Sequence, residues 1–404
     1  MHPSIYNTFQ ANTSTVLYER LFSRYYPIFG YCIRNVQNVI ITSDRRRKTV
    51  LNLNNKFKVV TVAGTRPEII KLADIIPLLR ESFEHVFVYT GQHFSQNMKD
   101  IFFDGLGIEP DYDLKSNTSN IDTLRDNMLP TLQRISPKYV IVYGDTNSSM
   151  AAALAAFQIN AHIVHIEAGV RDFDYTVPEE PLRIKIDEMS KYLFAPSQFC
   201  ATVLTYENIS GTVFLTGNLV VDVCRRFSKL ADKVQHQQHN KNEIPEEYLL
   251  LTLHRPENVD NPINLKLLCK HLQSVSYKIV FPIHPRTQQT LEKFNISLPP
   301  NIIPTDAVGY IDFLYLLRNC RLVLTDSGGL QEESIVLKKP CITLRHTSAR
   351  WETILLKANI LFPPDSQDSL QDLVELMLAT KINRNPYGEN VAQKTVDILK
   401  QVII

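Results

Sequence analysis

At 404 residues, 44% hydrophobic and 21% charged, the chain is long enough for about two packed domains of an ordinary globular protein. Its 43 Lys and Arg against 42 Asp and Glu leave a net charge of +1, which excludes the strongly basic field of a nucleic-acid or anionic-membrane binder. Any charged ligand has to be met locally; no apolar run approaches the ~18 residues of a membrane span, and 6 cysteines without CxxC or another metal-ligand spacing fit free, buried thiols in a reducing cytoplasm.

Residues 1–55 lack clear periodicity, carry the aromatic cluster Tyr25-Tyr26-Pro27-Ile28-Phe29-Gly30-Tyr31 and end in the basic run Arg45-Arg46-Arg47-Lys48. They read as a poorly ordered extension, too polar for a signal segment; the aromatic cluster and basic run are what a targeting or partner-binding arm would use instead. From 56 to 234, short β-branched runs alternate with helical stretches: Lys58–Ala63, His85–Tyr89, Tyr139–Tyr143 and His162–Ile166. Gln235–Glu247 is the best linker. A second series over 235–386 begins at Tyr248–Leu253 and continues through Lys278–Ile283, Leu322–Thr325 and Cys341–Leu344. Residues 387–404 supply a last helix, Glu389–Val402, expected to pack back on the first domain. The fold class is therefore α/β, with two doubly wound, Rossmann-like domains and a cleft between them.

In such sheets ligands sit beyond the carboxyl ends of the strands, and that is where the polar groups fall. After the first strand comes Gly64-Thr65-Arg66-Pro67-Glu68-Ile69-Ile70-Lys71, where Pro67 suits a first helical turn and Arg66 and Lys71 can meet phosphates. Neither GxGxxG nor GxxxxGK[ST] is present. Later strand ends carry Gly144-Asp145-Thr146, Glu167-Ala168-Gly169, Pro178-Glu179-Glu180 with Arg183, His254-Arg255-Pro256-Glu257-Asn258 and His284-Pro285-Arg286. Leu322–Thr325 runs into Asp326-Ser327-Gly328-Gly329 and a helix, so unsatisfied backbone donors and two residues without Cβ atoms make an anion site. Taken singly, Asp145 could cap a helix, His165 could sit in the core, a loop Glu is usually solvated, and Gly-Gly is usually a tight turn. Their repetition at successive strand ends points instead to a cleft for a diphosphate ligand and proton transfer.

In order, GTRPEIIK, GQHF, YGDTNSS, HIEAGVR, PEEPLR, TGNLVVD, TLHRPENVD, FPIHPRT, YIDFLYLL, LTDSGGLQEES and LRHTSARWET closely resemble the non-hydrolysing UDP-N-acetylglucosamine 2-epimerase family over about residues 56 to 385. The resemblance implies a glycosyltransferase-B arrangement, a cytoplasmic homodimer, no cofactor and no metal, and inversion of C2 in a UDP-linked 2-acetamido sugar. The first domain would be catalytic and the second would bind UDP. UDP would be held by Arg66, Lys71, Ser327, Gly328, Gly329, Glu333 and Arg350, with Glu333 on the ribose, Phe313 near the uracil and His284 in support. Proton transfer would fall to Asp145, Glu167, Glu179 and His254, assisted by Arg183.

That chemistry suits those residue types. The C2–H of such a sugar is not adjacent to a carbonyl, so simple enolisation is unavailable; removing the C2 proton as UDP leaves C1, then returning UDP to C1 with protonation of C2 on the other face, inverts C2. The departing diphosphate gathers negative charge that cations and a helix N-terminus stabilise. First-domain carboxylates would serve C2 and His254 would act nearer the leaving group. The family pattern Thr-Glu-Arg-Pro-Glu here reads Ser348-Ala349-Arg350-Trp351-Glu352, and Leu182 replaces an Asn before Arg183. His254-Arg255 stands where bacterial enzymes activated by their own substrate have two consecutive arginines, which argues against such activation, although Gln92 and His93 persist. Alternatives are a UDP-6-deoxy or UDP-diacetamido uronic acid substrate, a glycosyltransferase of the same fold, a hydrolysing epimerase, or a UDP-sugar sensor.

Overall fold

A computed structural model describes residues 57–92, 103, 106–234 and 244–403. The extension 1–55, most of the linker Gln235–Glu247 and His93 lie outside the described residues. Seven parallel strands form the first sheet: β1 (Lys58–Ala63), β2 (Glu84–Tyr89), β3 (Tyr112–Asp113), β4 (Tyr139–Tyr143), β5 (His162–Ile166), β6 (Tyr192–Ala195) and β7 (Thr212–Leu215). Six more form the second: β8 (Leu249–Thr252), β9 (Ile279–Pro282), β10 (Ile302–Thr305), β11 (Leu322–Thr325), β12 (Cys341–Thr343) and β13 (Asn359–Leu361). The orders β3-β2-β1-β4-β5-β6-β7 and β10-β9-β8-β11-β12-β13 reverse direction between β1 and β4 and between β8 and β11. Each sheet thus has a topological switch point, where a crevice opens beyond the strand ends.

Alternation along the strands explains the layering. Val59, Ala63, Tyr139 and Ile141 bury on one side with Leu72, Ile75 and Leu79, whereas Val60, Val62, Val140 and Val142 bury on the other with Met128, Leu132, Ala151 and Ala155. Both faces of the sheet are covered, so the strands read as continuous apolar runs. The five strands that the sequence left unassigned, β3, β6, β7, β10 and β13, are 2 to 4 residues long. Runs that short carry little periodicity; β8 and β9 are no longer, but lie within the longer apolar runs Tyr248–Leu253 and Lys278–Ile283.

The two sheets are joined by packed helices. Phe227, from the helix Val220–Val234, meets Tyr310, from the helix Tyr310–Asn319, edge to face with centroids 6.0 Å apart. The final helix, Val391–Ile403, lies on the first unit and buries Val396, Leu399 and Ile403 beside Ile75, Ile76 and Leu79. The Tyr192 hydroxyl donates to the Val402 carbonyl at 3.0 Å, and the Ala392 N–H donates to Asp222 at 2.8 Å. Where the chain returns, Gly217 has φ +106°, and a Cβ there would stand 2.2 Å from the Tyr387 carbonyl oxygen, so only glycine fits.

Candidate active site

The loops after β1, β4 and β5 are first bound to one another. Thr65 caps the helix Arg66–Leu72, and Glu68 accepts from the Gly64 and Thr65 N–H groups at 3.0 and 2.7 Å, completing a capping box. The other Glu68 oxygen accepts from Thr146 and Ser149 hydroxyls at 2.8 and 2.9 Å, tying the β1 loop to the β4 loop across the switch point. The helix after β4, Asn147–Gln158, is capped by Thr146, so Asp145 is free of that duty.

Glu167 directly follows β5 with φ +75°, a conformation that costs a non-glycine residue of order 1 kcal/mol or more. It is 6% exposed, so it is not the solvated loop carboxylate that its position suggests. One of its oxygens accepts from Lys71 Nζ at 2.9 Å and from the Tyr143 hydroxyl at 2.5 Å; the other accepts from Arg350 Nη2 at 2.7 Å. Burial opposes its charge, but Lys71, Arg350 and the Tyr143 hydrogen bond outweigh it and bring the carboxyl down to about 2. Lys71 also pairs with Glu332 at 2.8 Å, Arg350 Nε reaches the same carboxylate, and the Asn218 amide donates to it at 2.8 Å. Burial disfavours the Lys71 ammonium, yet Glu167 and Glu332 hold its pKa above the ordinary value. Two cations and two carboxylates, each unit giving one of both, thus close a buried cluster between the sheets.

Beside it lies a second ionic chain. Arg183 grips Asp145 through Nε at 2.7 Å and Nη2 at 2.6 Å, and its Nη1 donates to Glu180 at 2.9 Å and Asp172 at 3.1 Å. Burial would raise the Asp145 carboxyl, but Arg183 holds it below the ordinary range. Asp172 accepts from the Thr347 hydroxyl of the second unit at 3.0 Å, and Glu179 accepts from Arg255 Nη1 at 3.0 Å. His165 is interior, held between Asp187 at 2.6 Å and the Gly144 carbonyl at 2.9 Å.

On the second unit, buried Asp326 organises the entrance. Its carboxylate accepts the His254 N–H at 3.0 Å and the Arg255 N–H at 2.9 Å, and lies 3.2 Å from His254 Nδ1. The His254 side chain stays 45% exposed in the cleft. Ser327 caps the helix Gly328–Val336. Neither glycine after it has positive φ, so the pair is not there to make a turn; a Cβ on Gly328 would meet nothing within 4 Å. The space in front of this helix is open, which suits a group that must approach the backbone closely.

Phe313, His254, Lys71, Ser327, Gly329 and Glu333 line one cavity of about 230 Å³. Glu333 accepts from the Tyr310 hydroxyl at 2.9 Å, and burial pushes its carboxyl up to about 7. Arg66 is exposed at the N-terminus of its helix. His284 caps the helix Pro285–Lys293, its Nδ1 accepting from the Arg286 N–H at 3.2 Å. Its pKa is lowered by burial and by His254, Arg286 and Arg66.

The residues named from the sequence thus converge on one cleft, but three that build it were missed. Glu332, Tyr143 and Asn218 sit inside quoted motifs, yet nothing in their spacing marks them as site groups. The altered Ser348–Glu352 segment has a packing account: Ala349 and Trp351 join an apolar cluster with Phe199 and Leu204, and Trp351 lies 6.4 Å from Phe173. Ser348 accepts the Arg350 N–H at 2.9 Å, so the segment still sets Arg350. Gln92 accepts from the Ser148 N–H and hydroxyl at 3.1 and 2.8 Å.

Known proteins share this fold. Residues 78–400 match the family described as UDP-N-acetylglucosamine 2-epimerase. The chain is 40% identical over 350 residues to the UDP-N-acetylglucosamine 2-epimerase of Methanocaldococcus jannaschii, covering 82% of this chain and 95% of that one. It is 35% identical over 318 residues to the UDP-2,3-diacetamido-2,3-dideoxy-D-glucuronate 2-epimerase of Pseudomonas aeruginosa, covering 76% and 88%. A crystal structure of the Methanocaldococcus jannaschii enzyme in complex with UDP-GlcNAc and UDP superposes with TM-score 0.78 at 39% identity, over 85% of this chain and 99% of that one. The chain belongs to the UDP-N-acetylglucosamine 2-epimerase family.

Proposed function

We propose that this protein inverts C2 of a UDP-linked 2-acetamido sugar without hydrolysing it, through elimination of UDP to a 2-acetamidoglycal and readdition. The observation that carries the reading is the meeting of the first unit's carboxylates Asp145, Glu167 and Glu179 with Lys71, Arg350 and an open helix N-terminus in one interdomain cleft.

Lys71, Arg350, Arg66 and the N–H groups after Ser327 receive the diphosphate, Glu333 takes ribose hydroxyls, and Phe313 lies along the uracil. Their positive charge is best matched when the C1–O bond has broken and the diphosphate carries its full charge. Glu167 and Asp145, held ionised by Lys71 with Arg350 and by Arg183, act on the C2 proton from the first unit, with Glu179. His254, half exposed and oriented by Asp326, acts nearer the leaving group, with His284 close by. Closure of the two units keeps water from the glycal until UDP returns. As the resemblance implies, the working unit is a cytoplasmic homodimer, which light scattering of the purified protein checks.

Proton NMR in D2O with UDP-GlcNAc, a UDP-6-deoxy-2-acetamido sugar and a UDP-diacetamido uronic acid tests the function and names the substrate. The expected result is deuterium at C2 together with the C2 epimer for one of them. Binding of UDP with no exchange in any of the three overturns the reading and favours a transferase or sensor.

A further inference from the structure

Glu332 has no part in the proton transfers above, yet, like Asp326, it is a fully buried charge beside the cleft. Its side chain is 0% exposed and sits on the second unit's helix Gly328–Val336, one residue before Glu333. Lys71, on the first unit, and Arg350, on the second, both end on it, and the Asn218 amide fixes one of its oxygens. Asn218 in turn accepts the Val220 N–H at 3.0 Å, and its N–H donates to the Tyr387 carbonyl at 3.0 Å, so it stands where the first sheet leaves for the second unit. Removing one member of a buried ionic cluster leaves the others uncompensated, so such a carboxylate is retained at a cost.

Resting on the epimerase reading, we propose that Glu332 is a positioning residue: a resident counter-anion that holds Lys71 and Arg350 aimed at the diphosphate and weakens their grip enough for the cleft to reopen and for Glu167 to remain reactive. Glu332 is fixed by the Asn218 amide, whereas Glu167, just after β5, is held by Lys71, the Tyr143 hydroxyl and Arg350. When a diphosphate arrives, the cations turn part of their charge to it while Glu332 keeps them in register. Without the Glu332 charge, both cations would fall on Glu167 and on UDP. UDP would then bind more tightly while turnover falls, a combination that general damage to the fold does not produce.

The test is Glu332→Gln, which keeps shape and removes charge, with UDP affinity by calorimetry and kcat and KM by NMR turnover. The expected result is UDP binding tightened about tenfold, as removal of one like charge from a screened site gives, with kcat lowered about a hundredfold and C2 exchange slowed in step. Unchanged or weaker UDP binding with kcat near the parent value overturns the proposal. Should Glu332→Gln fail to fold, Asn218→Asp keeps the acceptor for Val220 but turns the donor aimed at Glu332 into a second anion. It is expected to weaken UDP binding and lower kcat together, and parental values for both overturn the proposal. Failure of the epimerase reading itself is distinct: the unaltered protein would then show no C2 exchange at all.

Discussion

The two sides of the cleft are built on opposite plans. On the first unit every carboxylate proposed to be catalytic is held by a cation: Asp145 by Arg183, Glu167 by Lys71 and Arg350, Glu179 by Arg255. On the second, the rim at Ser327, Gly328 and Gly329 is left open, and the His254 side chain is half in solvent. The difference teaches which half is set before substrate binds. Carboxylates near a departing diphosphate must stay ionised and in place, and ion pairs across both units do that in advance; the anion site gains only from space and unsatisfied donors.

The contrast breaks most severely at Glu167. Glu167→Gln removes a carboxylate proposed to act on C2 and leaves Lys71 and Arg350 to Glu332 and substrate, so turnover should fall by about 10³-fold or more while UDP still binds. NMR turnover with calorimetry checks this, and a fully active Asp145→Asn, Glu167→Gln double variant would sink the assignment of both. Next in size is Arg183→Lys, which cannot grip Asp145 and Glu180 together; kcat should fall by about 10²-fold with a smaller change in KM.

The open rim is sharpened by Gly328→Val. A Cβ there has open space in front of it, so the melting temperature should hold while UDP affinity drops by about tenfold, because the diphosphate loses its approach. A variant that binds UDP normally would show that the glycine is not facing the ligand. The smallest effect is in pH. Glu333 is raised by burial to about 7, so below that value it is protonated in the empty site. In the proposed site ribose hydroxyls donate to the ionised form, so UDP affinity should climb several-fold between about pH 6 and about pH 8 and then level off. Glu333→Gln should flatten that rise. The stability change has the opposite sign: a carboxyl raised above its unfolded value favours the fold at lower pH, and that contribution is lost as pH rises through about 7.

Sequence reading found the alternating pattern because β1, β4 and β5, at 5 or 6 residues, are long enough and β-branched enough to stand out between helices. β3 and β13, 2 and 3 residues long, escape it, since their place is set by neighbouring strands. The cleft residues were legible for a related reason: glycines, histidines and acids recur after each strand, and the motif order ties them to a known family. Glu332 was not, because a charge adjoining a charge in a helix looks like a solvated face. Only the packing of the second unit against Lys71 turns it inward. Thr146 likewise takes the cap that the neighbouring Asp145 could have held, and that follows from backbone geometry after β4.

The most direct test of the chemistry follows the bond to the leaving group. UDP-GlcNAc, or whichever UDP-sugar the NMR survey identifies, is labelled with ¹⁸O in the oxygen between C1 and the β-phosphorus and incubated with the protein in D2O. Elimination and readdition require the label to move into the non-bridging β-phosphate positions, alongside deuterium uptake at C2. Deuterium uptake at C2 with the label held in its bridging position would contradict elimination.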